Sequence, residues 1–290
     1  MFKNNERKRN RIKEFPVVFG NHGVLLRGKV LLPEETNARA LPGAILCHGF
    51  GASSRATEPS ARILANKGIA TLIFDLRGHG SSEGVVDNRI IDDITDAWYL
   101  LSQLPEVDAR RIALIGHSLG AMSAIMAATR IHSPHALVAL SCPPEVDSQL
   151  LKDEPLNIGR WGQNSPPVLE HPKHGAFPWL KGIAGLLCQV WMYFHGYRVR
   201  VHWQEFFEAF PLMKMSQALR ELKECYKLFV FCEGDKVTPY QKSASIYQAA
   251  CEPKAILVVK RGFHSAPLLS RSLRSQWINW TVQKLTVGES

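Results

Sequence analysis

The 290 residues contain no C-x-x-C pair and no regular cysteine spacing; Cys47, Cys142, Cys188, Cys225, Cys232 and Cys251 fall mostly inside or beside apolar runs. That pattern excludes a zinc ribbon or a disulfide framework and reads as reduced, buried thiols. No uninterrupted apolar stretch reaches membrane-spanning length, and the N-terminus has no apolar signal core. The expected compartment is the cytoplasm, without stable membrane insertion. Internal repeats and low-complexity segments are also missing.

Acidic residues are scarce at the start of the chain. Glu6 alone faces Lys3, Arg7, Lys8, Arg9, Arg11 and Lys13, so residues 1–13 carry +5 of the net +9 and leave +4 for the rest. This tail has neither the interleaved aromatics of a nucleic-acid binder nor the apolar face of a membrane-surface helix. It reads as a solvated, flexible tail. With 46% hydrophobic and 21% charged residues, the remainder can bury one large core and carry an insertion.

What is present is alternation. Apolar runs at Phe15–Phe19, Val24–Leu32, Ala44–Cys47, Ala70–Asp75, Ile112–Ile115, Leu137–Cys142, Leu228–Cys232 and Ala255–Val259 are short and mostly rich in β-branched residues, and read as eight strands. Helical patterns at about 55–67, 90–104, 119–131, 215–226, 240–250 and 265–284 separate most of the later ones. Strand-helix alternation predicts an α/β fold, with an eight-stranded, mostly parallel sheet covered by helices on both faces. The first two runs, joined around Gly20-Asn21-His22-Gly23, predict an antiparallel hairpin at the sheet edge.

The alternation stops after Cys142. Residues 143–213 are rich in proline, histidine and tryptophan around the apolar stretch Trp179–Tyr197, which predicts an inserted helical cap over core segments 14–142 and 214–290. Lys181, Gly182, Gly185 and His195 interrupt that stretch, so a lid lining an acyl or aromatic pocket is favoured over a membrane anchor. Substrate-binding residues are expected within this insertion. His171, His174, His195 and His202 lack a completing carboxylate, and no metal site is expected.

Leu114-Ile115-Gly116-His117-Ser118-Leu119-Gly120 reads as a buried strand entering a helix through Gly-x-Ser-x-Gly. Gly116 and Gly120 leave room for a strained turn that holds the Ser118 hydroxyl free. A serine hydroxyl is a weak nucleophile at neutral pH, so it needs a histidine base and a carboxylate that orients the histidine. In this type of fold the order is Ser, acid, His. Downstream, Asp235 follows the strand Leu228–Cys232 and His264 follows Ala255–Val259, both at carboxyl ends of strands. Rivals for the acid are Glu233 nearby and Glu145 or Asp147 after Leu137–Cys142. Backbone N–H groups of Leu119, at the helix start, and Phe50, in His48-Gly49-Phe50-Gly51, are the candidate oxyanion donors. Asp75, Arg77 and His79, in a glycine-rich loop, are read as loop-stabilising rather than as a second acid-base set.

Taken in order, His48-Gly49-Phe50-Gly51, Asp75-Leu76-Arg77-Gly78-His79-Gly80-Ser81-Ser82, Gly116-His117-Ser118-Leu119-Gly120, Asp235 and His264 resemble the α/β-hydrolase superfamily. The nearest likeness is to its lysophospholipase, monoacylglycerol-lipase and acyl-esterase group. The resemblance covers roughly Gly20 to Thr281 apart from the cap. Cys232 and Phe263 stand where glycines commonly precede the acid and the histidine, and neither removes a catalytic atom. The resemblance implies the eight-stranded hydrolase fold, a Ser118–Asp235–His264 triad and hydrolysis of a small-molecule acyl ester through an acyl-enzyme, with no cofactor. The same triad serves thioester, amide or C–C hydrolysis and acyl transfer. A non-catalytic binder on this fold is the rival from another class, and an adaptor acting through the basic tail is a further one.

Overall fold

The computed structural model describes residues 12–20, 23–34, 40–131, 133–145, 168–170, 199–201 and 213–286. Eight strands form one sheet: β1 (Ile12–Phe19), β2 (Leu26–Pro33), β3 (Leu41–Cys47), β4 (Ala70–Phe74), β5 (Val107–His117), β6 (Ala136–Leu140), β9 (Tyr226–Cys232) and β10 (Lys254–Val259). Their spatial order is β1-β2-β4-β3-β5-β6-β9-β10. β1 and β2 pair antiparallel, β2 pairs antiparallel with β4, and every later pairing is parallel. The expected edge hairpin is present. Its first strand begins at Ile12, so the last two residues of the tail segment 1–13 pair with Pro33 and Leu32.

The helices are α1 (Ser54–Ala65), α2 (Ile90–Ser102), α3 (Leu119–Ala127), α4 (Met215–Glu221), α5 (Tyr240–Ala249), α6 (Ala266–Leu269) and α7 (Arg271–Thr286). The pleat alternates side chains between two cores. Ile45, Leu114 and Leu137 face a core shared with Ile94 and Trp98 of α2, Met122 and Ile125 of α3, Leu219 of α4 and Ile246 of α5. Leu46, Ile115 and Val138 face the other, built with Leu64 of α1 and Leu273, Trp277 and Ile278 of α7. Both faces are thus closed, as a parallel sheet requires.

The single helix expected over 265–284 is two helices. Ser270 has extended backbone (φ −70°, ψ 117°), and its hydroxyl accepts the Leu273 N–H at 3.4 Å, which restarts the chain as α7. The helix expected over 215–226 stops at Glu221, where a buried lysine terminates it. Lys227 Nζ donates to the carbonyls of Leu222 at 2.5 Å and Cys225 at 2.7 Å, satisfying groups a helix end leaves unpaired.

Within the inserted segment 143–213, the described residues 168–170 and 199–201 form a two-stranded antiparallel ribbon, β7 (Val168–Glu170) and β8 (Val199–Val201). Apart from residues 143–145 and 213, the rest of the expected cap, Trp179–Tyr197 included, lies outside the described residues, as do the tail residues 1–11 and His171, His174, His195 and His202. β8 docks on the core: Arg200 N–H donates to Gly78 O at 2.7 Å, Val86 N–H donates to Arg200 O at 3.0 Å, and Val199 and Val201 are buried. Gly78, at φ 73°, permits this approach, because a Cβ there would come within 2.6 Å of Arg200 O.

Among the described residues no helix is long and apolar enough to cross a membrane. Trp277 anchors α7, fully buried with its indole N–H donated to Pro267 O at 2.9 Å. Trp277→Ala is expected to lower the unfolding free energy by about 3–5 kcal/mol through the cavity it leaves. Chemical denaturation measures this, and a loss under about 1 kcal/mol would contradict the packing described.

Candidate active site

The site grows from the carboxyl ends of β3, β5, β6, β9 and β10, where parallel strands deliver loops to one edge. β5 ends at His117 and α3 begins at Leu119, so Ser118 alone makes the turn, at φ 53° and ψ −117°. A non-glycine residue in that region costs about 1–3 kcal/mol and persists only where its surroundings enforce it. Here two glycines do so. A Cβ on Gly116 would lie 2.3 Å from Gly120 O, and one on Gly120 would lie 2.5 Å from the carbonyl oxygens of both Cys47 and His48. Strand, helix and the loop after β3 therefore meet at backbone contact. Ser118 N–H donates to Leu140 O at 2.9 Å, which ties the turn to β6 and leaves the side chain half-buried at the sheet edge.

That contact places the loop His48-Gly49-Phe50-Gly51 against the elbow. Leu119 N–H is the first of its helix, with no preceding turn to accept it. His48 is completely buried; its Nε2 accepts the Leu76 N–H at 3.0 Å, so Nδ1 carries the proton and donates to Gly49 O at 2.8 Å. Burial pushes its pKa down, and the ring is neutral. Phe50 is half-buried, its ring edge-on to His79 at 5.7 Å.

Asp235 and His264 meet although they lie on separate loops. His264 Nδ1 and Asp235 Oδ2 are 2.8 Å apart, with Asp235 4% and His264 8% exposed. Gly234 allows the approach: a Cβ there would come within 2.5 Å of Gly262 O on the histidine's loop. Cys232, read from the sequence as a substitution for glycine, packs its sulfur where Gly262 would carry a Cβ, 2.8 Å away. The remaining lone pairs of Asp235 are taken by Val237 N–H at 2.8 Å, Thr238 N–H at 2.9 Å and the Thr238 hydroxyl at 2.7 Å. Burial on its own would raise the Asp235 pKa, but the hydrogen bonds from His264 and Thr238 more than offset it and hold it below the usual carboxylate value.

The rival acids are placed elsewhere. Glu233 is exposed, and Glu145 accepts the Ser216 N–H of α4 at 2.6 Å; Asp147 lies outside the described residues. Asp75 accepts Ser54 N–H, Ser81 N–H and the Ser81 hydroxyl, while Arg77 is buried between Asp93 and Asp87, donating to both. Those groups are spent on holding the 75–87 loop. Among the described residues no cluster of His, Cys, Asp and Glu has the makings of a metal site.

Three residues of this site escape sequence reasoning. Thr238 bridges Asp235 and the His264 ring, its hydroxyl also 3.3 Å from Nδ1. Ser141, at φ 45°, donates its hydroxyl to the His264 carbonyl at 2.8 Å, and His117 Nε2 lies 2.9 Å from the same oxygen. The positive φ of Ser141 leaves no mark in the sequence, because serine is not the residue that conformation selects.

Residues 44–273 match the alpha/beta hydrolase family. Among curated proteins, the chain is 32% identical over 185 residues to Thiohydrolase aneE of Aspergillus aculeatus, covering 57% of this chain and 56% of that protein. It is 24% identical over 247 residues to Acyltransferase drtE of Aspergillus calidoustus, covering 76% and 78%. The chain thus spans little more than half the length of the first of these relatives. Among solved structures, DcsB in complex with its substrate analogue superposes with a TM-score of 0.72 at 19% identity, over 94% of this chain and 98% of that one. The Pyrococcus furiosus esterase PF2001 gives 0.63 at 18%, over 94% and 91%. At these identities the structures attest the fold.

Because the folded-state pKa of Asp235 lies below its unfolded value, its pairing stabilises the fold fully above the unfolded value of about 3.9 and is lost as pH falls through that value toward the folded one. Asn cannot titrate. The unfolding free-energy gap between wild type and Asp235→Asn is therefore expected to narrow as pH is lowered from neutrality to about 3. A gap that stays constant or widens in urea titrations would contradict the pairing.

Proposed function

The chain belongs to the alpha/beta hydrolase family, and on that premise we propose that it is a serine hydrolase that cleaves carboxylic esters through an acyl-enzyme on Ser118. The observation that carries the reading is the buried Asp235–His264 hydrogen bond on the same sheet edge as the strained Ser118 turn. Asp235, ionised and hydrogen-bonded at both oxygens, accepts the Nδ1 proton of His264. That fixes the tautomer and leaves Nε2 with its lone pair as the base. Ser118 Oγ adds to the substrate carbonyl while its proton passes to Nε2. The developing oxyanion is received by the Leu119 and Phe50 N–H groups. The same imidazolium protonates the departing alcohol, and a water activated by the regenerated base then releases the acid.

The cap over residues 143–213 sets the acyl pocket in this reading. The motif likeness to the lysophospholipase, monoacylglycerol-lipase and acyl-esterase group supports an oxygen ester. A second reading is supported by the similarity to a protein named thiohydrolase and one named acyltransferase: an acyl thioester donor, with water or another acceptor in the second half-reaction. The two differ chemically at the leaving group. A thiolate, of parent pKa about 8.5, departs with little help, whereas an alkoxide needs the proton of His264.

Oxygen ester and thioester series with matched acyl chains from acetyl to palmitoyl, run beside Ser118→Ala, test both readings. Hydrolysis is expected in the wild type, with kcat/KM at least about 10³-fold lower in the variant. Equal inertness of both proteins on every substrate would contradict the hydrolase reading and favour a binding role for the pocket.

A further inference from the structure

His117 takes no part in the acyl-transfer steps, yet it is packed against the base. Its Nε2 lies 2.9 Å from the main-chain oxygen of His264, and the two rings are tilted at 52° with centroids 4.8 Å apart. A carbonyl oxygen only accepts, so Nε2 carries the proton. Burial first, and then the neighbouring His264, push the His117 pKa down to about 3, so the ring is neutral and Nδ1 is bare. That bare nitrogen faces the loop after β3: a Cβ on Gly49 would stand 2.9 Å from it and 3.2 Å from Ser118 Cβ. His117 therefore touches the main chain of the base on one side and of the oxyanion loop on the other, while preceding the nucleophile in the chain.

The oxygen it holds has a second donor. Ser141 Oγ reaches the His264 carbonyl at 2.8 Å, and the Ser141 carbonyl lies 3.3 Å from the Thr238 hydroxyl oxygen, whose proton goes to Asp235. His264 is thus clamped at both ends, its ring by Asp235 and Thr238 and its main chain by Ser141 and His117.

We infer that His117, through its Nε2–H, is a positioning residue for the reaction: it ties the base loop to the residue adjoining Ser118 and so holds the His264 ring in line with the nucleophile. This rests on the reading of Ser118 and His264 as nucleophile and base. A hydrogen bond that merely stabilised the core would make a different prediction, because any variant that folds would then react normally.

Two neutral amides separate the cases. The amide nitrogen of glutamine takes the place of the imidazole Nε2, whereas that of asparagine takes the place of Nδ1 and leaves the His264 carbonyl one donor short. The measurement is the rate of covalent inactivation by a fluorophosphonate, with the adduct mapped to Ser118 and each protein shown to be folded by circular dichroism. His117→Gln is expected within about threefold of wild type, and His117→Asn at least about tenfold slower at unchanged reagent affinity, the scale of a displaced catalytic group. Equal rates for the two variants, or a wild-type rate for His117→Asn, would overturn the inference while leaving the hydrolase reading intact. A wild-type protein that is never modified at Ser118 would overturn the hydrolase reading itself, and the inference with it. Should His117→Asn not fold, nitrogen NMR of histidine-labelled wild type decides: a neutral, Nε2-protonated His117 between about pH 5 and 9 is expected. An Nδ1-protonated ring would overturn the inference.

Discussion

The carbonyl oxygens of Cys47 and His48 pass so near the Cα of Gly120 that no side chain fits between them, and Gly116 meets Gly120 from the other side at the same range. This backbone contact sets the position of everything at the sheet edge. It forces the turn at Ser118 into its strained conformation and fixes the start of α3. It also brings the His48–Gly51 loop beside the first N–H of that helix. The strain is small against the apolar burial around it, since β5 from Ile112 onward and α3 are buried almost throughout.

Around this contact the charged groups are paired and the buried imidazoles of His48, His79 and His117 are neutral. Asp235 accepts four hydrogen bonds and stays charged; Arg77 sits between Asp93 and Asp87. His48, His79 and His117, all buried, are held below their ordinary pKa by burial first. In the proposed mechanism, three neutral imidazoles near the site leave the positive charge free to develop on His264. A cationic neighbour would oppose that step at short range. The β8 ribbon extends this arrangement outward by docking on the loop that carries Arg77 and His79.

Most of the scaffold was legible because its signals are local. Eight short apolar runs became the eight strands of one sheet, and Gly116 and Gly120 announced the elbow between β5 and α3. Asp235 stood out from Glu233 only by its place in the loop; the structure separates them by burial and by the glycine contact that lets the acid loop reach Gly262. What stayed hidden depends on partners distant in the chain. Thr238 and Ser141 are 97 residues apart, Ser141 and His264 are 123 apart, and His117 and His264 are 147 apart. No periodicity encodes such pairs. The break at Ser270 and the end of α4 at Glu221 were likewise set by single side chains, a serine cap and the Lys227 ammonium. The ribbon strands are three residues each, too short to register as an apolar pattern.

The proposed reaction turns on Ser118 carrying the acyl group between its two halves. The most direct measurement is rapid-quench mass spectrometry of the intact chain mixed with an activated acyl ester, followed by peptide mapping. A transient mass increase equal to the acyl group is expected, located on the peptide containing Ser118 and decaying at the rate of turnover. Turnover without any covalent intermediate, or an adduct on a cysteine instead, would contradict it.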